Sequence, residues 1–114
     1  MASIRRGDVW LVNFDSTMGA EVRKRRPAVV ISNNLNNELA PLVTVVPLST
    51  KVSRIYPFDV RIPREMGMRK DSKAMANQIR TVSKERILRK LGSLPTEIIT
   101  TVEEAILLHL AIER

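Results

Sequence analysis

A run of four cations at 23–26 stands directly before Pro27 and the apolar run 28–31. Adjacent like charges repel one another, so the stability of the fold does not explain such a run. Pro27 fixes its own φ and biases Arg26 toward an extended conformation. We therefore expect Arg26 to be held at the start of a strand, where its guanidinium could bind a phosphate group.

Cleavage of RNA suits the residue types in this chain, because the substrate's own 2′-OH can be the nucleophile and no metal is obligatory. Such an enzyme must neutralise charge at the phosphorus, accept the 2′-OH proton and supply a proton to the leaving 5′-oxygen. Arginine suits the first role, a hydroxyl can donate to the same oxygens, and a carboxylate can move protons. The candidates are Arg26, Ser49 or Thr50, and Glu21. The same residue types are common on solvated surfaces, so both interpretations stay open at this point.

Composition favours a polyanionic partner. The chain has 114 residues, with 19 Lys and Arg against 12 Asp and Glu, and a net charge of +7. A surface of this charge attracts nucleic acid, although it would also attract membrane headgroups or an acidic protein. Neither a signal peptide nor an apolar stretch that could span a bilayer is recognisable, so we expect a cytoplasmic protein that does not bind membranes.

Several kinds of site are excluded by composition. The chain has no cysteine, which excludes disulfides and thiolate metal sites. Its one histidine, His109, lies on the apolar stripe of a predicted helix, and we interpret it as a packed or interface residue. The four glycines are scattered, so no glycine-rich phosphate loop is present. We expect no metal site and no cofactor.

Hydrophobic periodicity predicts the elements that must position these residues. From residue 96 apolar residues recur at helical spacing, and Pro95 suits the first turn of that helix. A capped helical turn is predicted over 32–39, a single turn over 83–86, and a long polar connection over 15–26. Pro47 is expected to end the hydrogen-bond ladder of the strand in which it lies. The predicted strands span 8–14, 27–32, 42–48 and 58–62, one or two lie within 72–82, and another spans 87–94.

We therefore expect residues 1–114 to form one domain, with a mostly antiparallel β structure closed by a C-terminal helix. Six short motifs run along this domain in a fixed order. They are Arg6-Gly7-Asp8-Val9-Trp10, Gly19-x-Glu21, Arg26-Pro27-Ala28-Val29-Val30-Ile31-Ser32-Asn33, Pro47-Leu48-Ser49, Asp71-Ser72 and Asn77-Gln78-Ile79-Arg80-Thr81-Val82. In this order they resemble the MazF/PemK family of toxin-antitoxin endoribonucleases, over nearly the whole chain.

The resemblance implies a mainly β fold with α, namely a small SH3-like antiparallel β-barrel of the CcdB/PemK type with a C-terminal α-helix. It implies a homodimer whose RNA groove crosses the interface. It further implies sequence-specific, metal-independent cleavage of single-stranded mRNA, giving a 2′,3′-cyclic phosphate and a 5′-hydroxyl. A cognate antitoxin would compete for the groove, and DNA would be contacted only through the toxin–antitoxin complex.

The resemblance also implies roles for single residues. Arg26 matches the arginine that stabilises transition-state charge or supplies a proton. Ser49 falls at the position of the catalytic threonine, although a slip of one residue would put Thr50 there, and strand alternation makes the two side chains point oppositely. Glu21 matches a loop glutamate proposed as a base in some relatives.

A further set of positions is implied to contact RNA. Asn77 stands where several relatives have a carboxylate, which weakens any mechanism that uses that acid here. For Arg80, a solvated strand arginine remains an open alternative. The implied RNA-binding residues are Arg6, Arg23, Lys24, Arg25, Asn33, Asn77, Gln78 and Arg80.

Two rival functions remain open from the sequence. One is a non-catalytic toxin that binds a protein target, as the CcdB gyrase poisons of this fold do. The other is an RNA-binding module that has lost activity, for which Asn77 is the best hint. The pairing of Arg26 with Ser49 favours cleavage of RNA, because the fold alone would not require it.

Overall fold

The computed structural model describes residues 3–15, 19, 21 and 24–113, and this part of the chain forms seven strands and two α-helices. The strands are β1 (Asp8–Asn13), β2 (Arg25–Val30), β3 (Leu42–Ser49), β4 (Asp59–Ile62), β5 (Ser72–Met75), β6 (Arg80–Ser83) and β7 (Ile87–Ser93). The helices are α1 (Asn34–Leu39) and α2 (Thr96–His109), and 3₁₀ turns lie at Arg64–Met66, Ala76–Gln78 and Lys84–Arg86.

All strand pairs are antiparallel, in the order β4-β5-β3-β2-β1-β7, with β6 also paired to β3. Strand β3 changes partners along its length. On one edge it pairs with β6 from Leu42 to Val45 and then with β5 from Leu48, whereas on the other edge its pairing with β2 ends at Ala28–Pro47. The predicted mainly β antiparallel fold with a C-terminal helix is confirmed. Among the described residues β4, β6 and β7 each pair with a single strand, so these pairings do not close the sheet into a complete barrel.

Two apolar clusters fill the two faces of this bent sheet. The helix-side core includes Val29, Val46, Leu48 and Ile62 together with Val102 of α2. The second core comprises Trp10, Val12, Phe14, Ala28, Val30, Val43, Val45, Met75 and Val82. Because side chains alternate along a strand, these clusters assign every residue of β2 to a face. Arg26 lies on the face of Ala28 and the second core, whereas Pro27 lies on the face of Val29.

The buried carboxylate of Asp8 explains part of the first sequence motif. Asp8 is 4% exposed and accepts hydrogen bonds from the backbone N–H of Arg5 (2.9 Å), the indole of Trp10 (3.2 Å) and the hydroxyl of Ser93 (3.2 Å). The ammonium of Lys90 lies 3.4 Å from Oδ1, the oxygen that also accepts the Ser93 hydroxyl, whereas Arg5 and Trp10 donate to Oδ2. Asp8 therefore joins the start of β1 to β7, and its role in the motif is structural.

Most of the predicted elements are confirmed to within a residue or two. Helix α1 has the predicted polar cap, since the Asn33 side chain accepts the backbone N–H of Asn36 at 2.8 Å. The turn over Lys84–Arg86 is capped by Ser83, and β4 lies at an edge of the sheet as expected.

Two strand boundaries differ from the predictions. Strand β2 begins at Arg25 rather than at Pro27, because Arg25 and Arg26 pair with Asn13 and Val12 of β1. Strand β3 ends at Ser49, one residue beyond the predicted 42–48, because Leu48 and Ser49 pair with β5, while its ladder with β2 ends at Pro47 as expected.

The helical stripe at the C-terminus is shorter than predicted. Val102 and Ala105 are buried, but His109 is exposed at the end of α2, and Ile112 beyond the helix is 51% exposed. His109 is therefore not packed within this chain. Ala111, at φ +58°, turns the chain out of the helical direction. Within the described residues no helix combines the length and the apolar character needed to cross a membrane.

Candidate functional site

The strongest candidate site lies where β2 and β3 separate. Their pairing ends at Ala28–Pro47, whereas β3 continues to Ser49, paired on its other edge with β5. A pocket of about 250 Å³, which we call the cleft, opens between the two strand ends. It is lined by Lys24, Arg25, Arg26, Pro27, Leu48, Ser49, Thr50 and Ser72. The cleft therefore brings together the predicted arginine and both of the predicted hydroxyls.

Arg26 and Ser49 lie on the same face of the sheet. Continuing the β2–β3 register two residues beyond Ala28–Pro47 sets Arg26 opposite Ser49. Residues that oppose each other in an antiparallel pair share a face. Arg26 is half-buried and Ser49 is 6% exposed, so solvent has limited access to both groups.

The hydroxyl of Ser49 is oriented by the next turn of the chain. Its Oγ accepts the backbone N–H of Lys51 at 3.1 Å. Because that bond uses an oxygen lone pair, the hydroxyl proton stays available for donation. Thr50, by contrast, is exposed and follows directly after the last residue of β3.

The cleft is strongly positive. Its lining contains the cations Lys24, Arg25 and Arg26 and no carboxylate among the described residues. Lys24 adopts a left-handed backbone conformation with φ +66°, and its carbonyl accepts the N–H of Phe14 at 2.8 Å. A left-handed conformation is costly for a residue other than glycine, and such conformations are concentrated at functional sites. The cleft is suited to a phosphate group.

A second pocket, of about 400 Å³, is lined by Glu21, Asn77, Gln78, Ile79 and Arg80, and we call it the Arg80 pocket. The guanidinium carbon of Arg80 lies 5.3 Å from the centroid of the buried Phe14 ring. Its Nη1 is buried and makes no hydrogen bond within the part of the chain that the structure describes. A buried donor of this kind is costly unless a ligand accepts from it. The pocket can therefore bind a polar acceptor.

Two of the predicted RNA-binding residues, Arg6 and Asn33, are not brought to these pockets. The Arg6 guanidinium donates to the Ile31 carbonyl at 3.0 Å and pairs with Glu103 of α2. Asn33 caps α1, beyond the opposite end of β2 from Arg26. Arg23 lies outside the described residues. Lys24 and Arg25 line the cleft, and Asn77, Gln78 and Arg80 line the Arg80 pocket.

Lys73 is a residue that the sequence did not point to. It pairs with Ser49 across β3 and β5, and it is 8% exposed. Its ammonium lies 3.2 Å from the carboxylate of Asp59 and donates to the carbonyl of Arg54 at 2.7 Å. Lys73 therefore fastens the 50–58 loop, which leaves the site directly after Ser49. No local pattern indicates this contact, because it joins three separate segments.

Replacing Lys73 with methionine should destabilise the protein. The Asp59 side chain is 2% exposed and would lose its cation inside the fold. Breaking one partner of a buried pair costs about 3–5 kcal/mol. We expect the midpoint of urea denaturation to fall accordingly, while Lys70→Met, at an exposed lysine, changes the free energy of unfolding by less than about 0.5 kcal/mol.

A double variant separates charge from packing in this prediction. Adding Asp59→Leu to Lys73→Met removes both charges, so much of the lost stability should return. A loss below about 1 kcal/mol in the single variant would show that the ion pair does not hold the loop.

The chain was compared with known proteins in sequence and in structure. The family model described as "PemK-like, MazF-like toxin of type II toxin-antitoxin system" matches residues 5–110. Endoribonuclease MazF9 of Mycobacterium tuberculosis is 38% identical, with 94% of this chain and 96% of that protein covered. Endoribonuclease EndoA of Bacillus subtilis is 31% identical, with 96% of each chain covered.

Solved structures show the same fold. A crystal structure of MazF from Deinococcus radiodurans matches with a TM-score of 0.87 at 24% identity, covering 97% of this chain and 99% of that one. An endoribonuclease from a mycobacterial species, solved in complex with its cognate antitoxin, matches with a TM-score of 0.77 at 22% identity and covers 100% of this chain and 99% of that one. At these identities the structural likeness shows the fold alone.

Proposed function

The chain belongs to the PemK-like, MazF-like family of toxins of type II toxin-antitoxin systems, and we propose that it cleaves single-stranded RNA in the cleft. It is an endoribonuclease of such a system, and the two relatives at 38% and 31% identity are endoribonucleases by name. We further propose how the reaction proceeds and which residues perform it. In outline, the substrate's 2′-OH attacks the adjacent phosphorus, and the products carry a 2′,3′-cyclic phosphate and a 5′-hydroxyl.

The placement of Arg26 and Ser49 on one face of the sheet carries this proposal. The planar fork of the Arg26 guanidinium can bind two phosphoryl oxygens and neutralise the charge that develops at phosphorus. The Ser49 hydroxyl, already oriented by the Lys51 N–H, can donate to the same phosphoryl group. Both groups are held by strands rather than loops, so their geometry is fixed before RNA binds.

We assign the two proton transfers to Glu21, in the loop that precedes β2, and to Arg26, near the start of β2. Glu21 is the one carboxylate among the described residues that line the cleft and the Arg80 pocket. We assign it as the base that accepts the 2′-OH proton, and Arg26 as the group that supplies the proton to the leaving 5′-oxygen. The amides of Asn77 and Gln78 and the buried Nη1 of Arg80 are placed to bind polar edges of bases.

We also propose a protein partner that binds the cleft. The positive cleft suits an acidic segment of a cognate antitoxin, which would compete with RNA for Arg26, and DNA would be reached only through that complex.

A homodimer is proposed as well. Leu35 and Leu39 of α1 and Leu42 at the start of β3 are 70%, 73% and 47% exposed, and a second copy would cover this apolar surface.

A test in EDTA distinguishes the proposal from its rivals. The purified protein is incubated with a long single-stranded RNA in excess EDTA, and the fragment ends are analysed. Discrete fragments with 5′-hydroxyl ends are expected. Intact RNA would contradict the proposal: if the RNA were nonetheless bound, the protein would be an inactive RNA-binding module, and without binding it would be a toxin directed at a protein.

A further inference from the structure

A third pocket adjoins the cleft on the opposite face of the sheet. Its volume is about 370 Å³, and it shares Pro27, Thr50 and Ser72 with the cleft. Its other lining residues are Leu11, Gly67, Met68, Arg69, Lys70, Arg89 and Leu91. We call it the β7 pocket, because Arg89 and Leu91 lie on β7. A chain that leaves the cleft past Thr50 enters this pocket directly.

The chemistry of the β7 pocket suits a nucleotide. Leu11, Met68 and Leu91 provide apolar surface against which the face of a base can pack. The cations Arg69, Lys70 and Arg89 are exposed, and no carboxylate lines the pocket among the described residues. An apolar wall combined with cations matches a base with its phosphate better than it matches an extended acidic peptide, which has no planar apolar group at each residue.

The outer wall of the pocket is fixed in place. The turn at Gly67 lies so close to β7 that a Cβ there would come within 2.6 Å of the Leu91 carbonyl oxygen, and its φ is +106°. A Cβ on Gly92 would likewise lie 2.6 Å from the carbonyl oxygen of Met66. Asp71 closes the same loop by accepting the Arg64 N–H at 3.0 Å. Contacts this tight hold the loop against β7, so the pocket exists before any ligand binds.

We propose that the β7 pocket binds a nucleotide that flanks the scissile phosphate on one side, with its base on the apolar wall and its phosphate on Arg69 and Arg89. The proposal rests on the cleavage function assigned above and adds a subsite to it. The RNA strand would then pass from one face of the sheet to the other through the gap between β2 and β3. Arg26 would hold the scissile phosphate within that gap.

Truncated substrates test the subsite. Cleavage sites are first mapped on a long single-stranded RNA with the unmodified protein, and oligonucleotides are then made that lose nucleotides stepwise from either side of one site. Removing the nucleotide that occupies the pocket should lower kcat/KM by about tenfold or more, since both the stacking of its base and the contact of its phosphate with the arginines are lost. Removing a nucleotide from the other side of the cut should not change kcat/KM through this pocket.

The double variant Arg69→Ala/Arg89→Ala makes the test specific. On the longest oligonucleotide its kcat/KM should fall by about tenfold or more, and on the truncated one it should match the unmodified protein. Arg61→Ala, at an exposed arginine of β4 outside these pockets, is the matched control and should behave like the unmodified protein on both.

Three results would overturn the inference. An equal effect of truncation in the double variant and the unmodified protein would show that no nucleotide occupies the β7 pocket, with the cleavage function left standing. Unchanged RNA rates together with weaker binding of a polyglutamate peptide would assign the pocket to an acidic polypeptide instead. An unmodified protein that cleaves no RNA would overturn the proposed function and this subsite together.

Discussion

Replacing Arg26 with alanine should lower the rate of RNA cleavage by at least about 10²–10³-fold, the range found when one donor to a developing oxyanion is removed. Arg26 is the cation of the cleft that shares a face with Ser49, and Pro27 fixes the chain beside it. The side chain is half-buried at the start of a strand and contributes no apolar surface to either core. We therefore expect the midpoint of urea denaturation to stay close to that of the unmodified protein.

Two matched variants show whether charge or geometry is responsible. Arg26→Lys keeps the charge but loses the planar fork, so most of the activity should still be lost. Lys24→Ala removes a cation from the same cleft at an exposed position. It should mainly weaken RNA binding and reduce the slope of log K against log salt by about 1. Equal loss of single-turnover rate in Arg26→Ala and Lys24→Ala would show that Arg26 has no special role.

Replacing Ser49 with alanine should lower the single-turnover rate by about 10²-fold, whereas Thr50→Val should lower it by no more than about tenfold. Ser49 opposes Arg26 on one face and has an oriented hydroxyl, while Thr50 faces the β7 pocket as well as the cleft. Losing the Thr50 hydroxyl should therefore affect binding more than chemistry.

Single-turnover measurements at saturating protein separate these two effects. The variants are compared on one oligonucleotide, with binding measured separately at the same salt concentration. A larger loss of rate in Thr50→Val than in Ser49→Ala would reverse the assignment and make Thr50 the donating hydroxyl. Circular dichroism of each variant guards against loss of fold, because Ser49 is 6% exposed.

Periodicity and capping predicted those elements that local sequence determines. The β-branched and aromatic residues of β1 and the polar cap of α1 are properties of adjacent residues, so both could be recognised in the chain alone. The pairing of Leu48 and Ser49 with β5 could not, because it depends on β5 following β6 along the same edge of β3. A residue's own propensity does not report which strand will lie beside it.

The candidate site likewise has some features that the sequence predicted and others that depend on contacts between distant segments. The sequence predicted that Arg26 lies at the start of a strand, and in the structure Arg26 lines one cleft with Ser49 and Thr50. For Arg6, residue type indicated only a cation, and its pairing with Glu103, 97 residues away, depends on where α2 packs. Likewise the contact between Lys73 and Asp59 appears only once β4 and β5 are side by side.

The most direct test of the account is to remove a single 2′-OH from the substrate. One oligonucleotide is made as RNA throughout, and a second has a 2′-deoxy sugar only at the nucleotide on the 5′ side of the mapped cut. The account predicts that the first is cleaved in EDTA to a 5′-hydroxyl fragment, while the second is bound with similar affinity and stays intact. Cleavage of the deoxy-substituted strand at that position would contradict it, because the nucleophile would then not be the substrate's own hydroxyl.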